Sequence, residues 1–128
     1  MPWDTDIGAE LDDMQRELED EVKAGAMVIA EGLNRYTPVD TGRLVGNWQA
    51  GINTDPPDVR LPDDPSRSFS IVYLEAAIEQ FSLGDSLVFA NFTPYASLVN
   101  DGAESREPRR FLERAIEDAV NYFGGEAA

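Results

Sequence analysis

Apolar residues recur at intervals of three and four along the first part of the chain: Ile7, Leu11, Met14, Leu18, Val22, Ala26, Ile29, Leu33 and Tyr36. That spacing predicts one amphipathic helix of about 30 residues, roughly 45 Å long. Thr5 or Asp6 is placed to cap it, and the early acids suit its dipole. Its outer face carries Asp12, Asp13, Glu17, Glu19, Asp20 and Glu21, answered only by Arg16 and Lys23. A domain of this size has a radius of gyration of about 14 Å, so part of the stripe is expected to meet a neighbouring subunit. The alternative is a helix lying wholly across its own domain.

Pro38 ends that helix and drives Thr37 out of the helical region. Arg43 to Asn53 reads as a strand, with Leu44, Gly46, Trp48, Ala50 and Ile52 on one face. Residues Asp55 to Ser68 contain Asp55-Pro56-Pro57, Leu61-Pro62 and Asp64-Pro65, which predicts an irregular loop. Phe69 to Phe81 reads as a helix capped by Ser68, with Leu74, Ala77, Ile78 and Phe81 on one side. Leu83-Gly84-Asp85 breaks it, and Ser86 to Phe92 reads as a second strand. Pro94 to Val99 is a short turn or helix closed by Asn100-Asp101-Gly102. Glu107 to Phe123 reads as a final amphipathic helix, with Phe111, Ile116 (or Ala115), Ala119 and Phe123 inward and Gly124-Gly125 ending it. The fold class is α+β: a long N-terminal helix, a small antiparallel sheet and a C-terminal amphipathic helix, in a single domain over residues 1–128. Two strands make a poor sheet alone, so either the Pro-rich region hides strands or a neighbour completes the sheet.

Charge changes this picture most. Twenty-five acids face ten bases, for a formal net charge of −15. Such a chain repels nucleic acid, because binding needs a basic surface that displaces counterions. The acids serve solubility, or they keep a face passed by DNA from gripping it. The chain has no cysteine and no histidine, which removes disulfides, thiolate metal sites and the commonest neutral-pH base. No apolar run approaches the roughly 20 residues needed to span a bilayer. Met1-Pro2-Trp3-Asp4 is acidic where the basic region of a signal peptide would stand. Asp12-Asp13 and Asp63-Asp64 are adjacent carboxylates. On a helix neighbours point apart, so Asp12-Asp13 is read as solvated acids rather than a metal pair. No metal and no cofactor is expected.

Asp40-Thr41-Gly42 matches the triplet of aspartic proteases, which in a homodimer shares one proton between two carboxylates. That motif belongs at the tip of an apolar strand and is followed by a small residue. Here Pro38-Val39 precedes it and Arg43 follows. The same residues read more economically as a rigid corner: Asp40 accepting backbone N–H groups, Gly42 supplying positive φ, and Arg43 reaching a carboxylate or carbonyl.

Three blocks carry a resemblance. Arg35-Tyr36-Thr37-Pro38-Val39-Asp40-Thr41-Gly42-Arg43-Leu44, followed by Trp48, resembles the helix-ending turn of a phage minor-tail or tail-completion family. Gly84-Asp85, Val88-Phe89-Ala90-Asn91-Phe92-Thr93-Pro94-Tyr95-Ala96 and Leu98-Val99-Asn100-Asp101-Gly102 resemble its strand, Pro-Tyr-Ala and acid-Gly run. Glu107-Pro108-Arg109-Arg110-Phe111 resembles its Pro-x-x-Phe opening of the last helix. The resemblance implies a non-enzymatic virion protein of the head–tail junction, assembled in the host cytoplasm. It implies a homo-oligomeric ring, often sixfold, that joins the tail tube protein to head-closure and other neck proteins while DNA passes through unbound. On that reading Pro38, Asp40, Thr41, Gly42 and Arg43 form the structural turn. Tyr95, Arg106, Arg109, Arg110, Phe111 and Arg114 are expected at subunit or partner contacts, and Asp12, Asp13, Glu17, Asp20 and Glu21 toward the channel. The alternatives are an acidic DNA mimic that occupies a host DNA-binding protein, and the homodimeric protease.

Overall fold

A computed structural model describes residues 2–102 and 107–124, with residues 2–6 as backbone only. Helix α1 spans Pro2–Tyr36. A helical turn, α2, follows at Arg43–Gly46, then strand β1 at Trp48–Ile52, helix α3 at Ser70–Glu79 and strand β2 at Leu87–Asn91. Helix α4 covers Ala96–Asp101 and α5 covers Phe111–Gly124. The strands pair antiparallel, Trp48 opposite Asn91 and Ile52 opposite Leu87, in a sheet of two. The fold is α+β.

Helix α1 is the spine. Its C-terminal half buries Ala26, Ala30 and Leu33 in a core with Leu44, Trp48, Leu74, Ile78, Val99, Phe111 and Ala115. Helix α5 runs antiparallel along it. A Cβ on Gly32 would lie 2.8 Å from the Cα of Ala115, so only glycine lets the two backbones come this close. Further along, Gly25 faces the ring of Phe123, and α5 ends beside it. On the adjoining side α3 is tied to α1 at both ends. Asn34 donates to the Arg67 carbonyl and the Ser70 hydroxyl, each at 2.8 Å, and Lys23 donates to the Glu79 carbonyl at 3.2 Å.

Beyond Val22 toward its N-terminus α1 has left this packing. Ile7, Leu11, Met14, Leu18 and Val22 are 38–57% exposed. They prolong the line of Gly25, Ile29, Gly32 and Tyr36, at the same three-and-four spacing. The stripe read from the sequence is therefore real over its whole length, but only its C-terminal half is covered by its own chain.

Four expectations need correction. The helix begins at Pro2 and runs through Thr5 and Asp6, so neither caps it. Arg43 to Gly46 is helical rather than the start of a strand, because Gly42 at φ 91° launches a turn in which Gly46 N–H bonds the Gly42 carbonyl at 2.9 Å. The cap of α3 is Asp64, not Ser68: its carboxylate accepts the N–H groups of Ser68, Phe69 and Ser70 at 3.1, 2.9 and 2.8 Å. On α5 the inward residues are Phe111, Ala115 and Ala119, while Ile116 and Phe123 are 47% and 52% exposed.

The Pro-rich segment contains no strand. It is fastened along β1 by side chains instead. Asn47 accepts the Leu61 N–H at 2.7 Å, and Gln49 donates to the Val59 carbonyl at 3.1 Å. The far end of the sheet is closed by Asn53 at φ 63°, whose amide bonds Asp85 and whose carbonyl oxygen accepts the Ser86 N–H, both at 2.9 Å.

Candidate functional site

The C-terminal end of α1 leads directly into a corner. Thr37 is buried; its hydroxyl donates to the Leu33 carbonyl and accepts the indole N–H of Trp48 at 2.8 Å. One hydroxyl thus closes the helix and fixes the first residue of β1. The guanidinium of Arg67 completes the cap, donating to the carbonyls of Asn34, Arg35 and Thr37. Those are the orphan acceptors that every helix C-terminus leaves.

Pro38 and Val39 are half-buried, and Asp40 and Thr41 are exposed. The N–H acceptor in this turn is Thr41, whose hydroxyl oxygen takes the Arg43 N–H at 3.2 Å. Asp40 has no hydrogen-bond or ion-pair partner among the described residues, so the acceptor role assigned to it from sequence belongs to its neighbour. Its surroundings are an open turn before a helix, not the tip of an apolar strand. Gly42 supplies the left-handed conformation, and its carbonyl accepts Asp64 N–H at 2.9 Å. Arg43 lays its guanidinium over the Tyr95 ring, 5.6 Å from the centroid.

The downstream blocks converge on the same place. Asn91 donates to the Leu44 carbonyl at 2.7 Å, tying the end of β2 to α2. The chain then turns through Pro94 and Tyr95 into α4. Arg109 and Arg110 return with their N–H groups on the carbonyls of Val99 and Asn100, at 3.0 and 3.1 Å. The Asn100 side chain is buried and caps α5, accepting the Leu112 N–H and donating to Glu113, both at 3.0 Å. Together the segments enclose an open cleft of about 1060 Å³. Pro38 to Leu44 form one wall, Tyr95, Val99, Glu107 and Arg109 another, and Arg60 and Asp63 the rim.

The expected contact residues separate accordingly. Tyr95 and Arg109 line the cleft, and Arg110 is exposed beside it at φ 51°. Arg114 lies over the Tyr36 ring at 5.7 Å, as does Arg35. Phe111 is no contact residue: it is 2% exposed and meets Trp48 edge-on at 5.9 Å, so it belongs to the core. Arg106 lies outside the described residues. The acids expected toward a channel do not share a face. Helical periodicity puts Asp13 and Asp20 together on the side away from the rest of the molecule. Glu17 and Glu21 border the exposed apolar stripe, and Asp12 sits with Arg16 and Glu19 against Ser82 and Leu83. Sequence reasoning missed Asp64, Arg67 and Asn100. Their only signals were an acid before Pro65, one of two bases in a polar loop, and an Asn in what read as a turn.

Among the described residues no group of three His, Cys, Asp or Glu side chains is arranged to hold a metal, and no helix is long and apolar enough to cross a membrane. A family model, "HK97-gp10_like: Bacteriophage HK97-gp10, putative tail-component", matches residues 6–102. No curated protein and no solved structure matches the chain.

Proposed function

Given that the chain belongs to the HK97-gp10-like family of phage tail components, we propose that it is a neck or tail-completion subunit that forms a closed ring, often sixfold in such assemblies, between tail tube and head-closure proteins. The observation that carries this reading is the convergence of the three sequence blocks on one open cleft. That cleft sets arginines and acids beside apolar side chains. Such a surface suits recognition of a protein segment. The exposed half of α1 supports the same reading, since a stripe of that length is unusual on a monomer. The DNA-mimic alternative is weaker, because acids on separate faces of α1 do not reproduce one continuous phosphate-like track.

Within the ring, Asp13 and Asp20 are the acids best disposed to face the DNA channel. Repulsion there acts only within about 8–10 Å at physiological salt, so only acids at the wall matter. A density map of the intact particle tests both statements. It should show copies of this chain in a closed ring at the head–tail junction, with Asp13 and Asp20 toward the bore. Isolated copies without like-subunit contacts, or these acids on the outer wall, would refute the respective statement.

Asp40→Asn separates the assembly protein from the protease. Asp40 has no described partner to lose, so phage yield should stay within about twofold of wild type and thermal stability within about 0.5 kcal/mol. A self-cleavage product present in wild type and absent from the variant would establish the protease instead.

A further inference from the structure

The molecule is electrically polar along α1. Between Glu10 and Glu21 stand seven acids and one base, Arg16. Roughly 28 Å further along the helix, around Tyr36, arginines stand among acids, Asp118 accepting the Tyr36 hydroxyl at 2.6 Å, and the balance is close to neutral. Arg35 and Arg114 lie over the Tyr36 ring, Arg67 caps the helix, and Arg43, Arg60 and Arg109 line the cleft that begins at Pro38. In the cleft those three arginines stand against Asp40, Asp63 and Glu107, so it is close to neutral in a chain of net charge −15. Of the three, Arg60 contacts Asp63 at a loose 3.5 Å with both side chains largely exposed. Arg43 and Arg109 have no ion-pair partner among the described residues.

The two ends also match in polarity of surface. The acidic end carries the exposed apolar stripe, bordered along one edge by Glu10, Glu17 and Glu21 at the i, i+7, i+11 spacing of one helix face. The cleft has apolar walls from Pro38, Val39 and Tyr95 over the buried Leu44 and Val99, with guanidinium groups at its margin. We propose that the exposed half of α1 docks in this cleft of a second copy, stripe on the apolar walls and the Glu10–Glu17–Glu21 edge on Arg43 and Arg109. The proposal takes the ring of the preceding section as its premise and names the contact that builds it. Donor and acceptor surfaces differ, so the contact is head-to-tail, and a head-to-tail contact closes into a ring or continues as a filament. Pairing stripe against stripe antiparallel about a twofold axis would bring two glutamate edges together and is disfavoured by charge. Head-to-tail docking also lets so acidic a chain associate with itself, because each interface sets one copy's acids against the other's arginines.

Because the chain lacks cysteine, the contact can be trapped. Full-length protein carrying both Leu18→Cys and Val39→Cys, treated with a short bismaleimide, should give a ladder of dimers, trimers and higher species. Each single-cysteine variant should stay monomeric. Adding Arg43→Glu and Arg109→Glu should cut the ladder at least tenfold, and further adding Glu10→Lys, Glu17→Lys and Glu21→Lys should restore it, which also shows that the reversed cleft still folds. Dimers from Leu18→Cys alone would mean stripe-on-stripe pairing and overturn the proposal. So would a ladder indifferent to the charge reversals, or no ladder at any concentration nor in assembled particles. A particle map showing a ring built through other surfaces would defeat this docking while leaving the neck assignment standing; particles without the chain would defeat the assignment itself.

Discussion

Gly42→Ala is expected to lower stability by about 3–5 kcal/mol, whereas Gly84→Ala should lower it by about 1–2 kcal/mol. Both glycines have left-handed backbones, at φ 91° and 99°, so the conformational strain of a Cβ is similar. Their surroundings differ. A Cβ on Gly84 meets nothing within 4 Å, whereas one on Gly42 would lie 2.3 Å from the Pro65 nitrogen and within 2.8 Å of two Asp64 backbone atoms. Those are main-chain atoms of the Pro-rich loop, which cannot rotate aside as a side chain would. The loop must lift from the corner, breaking the Asp64 N–H bond to the Gly42 carbonyl and disturbing the Asp64 cap of α3. For a domain of this size the Gly42 variant should lose roughly 10–20 °C in melting temperature. Equal, small losses for the two variants in denaturant titrations would show that crowding against the loop is not what fixes Gly42.

What the sequence made legible follows the range of the forces involved. The α1 stripe, the α3 core face and the α+β class are period signals, carried by residues a few positions apart, and all three could be read from the chain. So could the end of α1 before Pro38. The α2 turn was not legible, because Leu44 and Trp48 alternate like a strand while Gly42, whose deciding contacts are with the distant Asp64 and Pro65, sets the backbone hand. The inward face of α5 was legible at Phe111 and Ala119 but left open between Ile116 and Ala115. Ile116 is the bulkier, but Gly32 brings α1 so close to Ala115 that only a small residue fits there, whereas the Phe123 ring, half exposed, reaches Gly25 at the end of the helix. The cleft itself could be found only in part: the sequence supplied its two walls as three separate blocks but not its rim at Arg60 and Asp63, and the long-range bonds from Asn91 to Leu44 and from Arg109 to Val99 bring the blocks together. The buried caps Asp64 and Asn100 carry only weak local signals, since each serves a helix that begins six or eleven residues later.

The second large effect belongs to Asp64, which is 1% exposed and yet ionised. Burial pushes its pKa up, but the bonds from Ser70 (N–H and hydroxyl), Phe69 and Ser68 outweigh that, and the carboxyl is held below its ordinary value. Removing the side chain with Asp64→Ala strands three N–H donors at the start of α3 and should cost about 3–5 kcal/mol. Asp64→Asn keeps one acceptor oxygen and should cost somewhat less, about 2–3 kcal/mol. The pH dependence gives the sharper check. A carboxyl whose folded pKa is depressed stabilises fully above its unfolded value, about 4, and loses that contribution as pH falls through the folded value. Asp85, held below its ordinary value by the Asn53 side chain and the Ser82 N–H, loses its contribution over the same range, while falling pH also relieves the overall self-repulsion of a chain of net charge −15. Wild type alone would therefore show a mixed profile. The difference between wild type and Asp64→Asn cancels the common part. It should be constant from pH 7 to about pH 4 and shrink below that. A difference that stays flat down to pH 2 would show that the cap does not depend on an ionised Asp64.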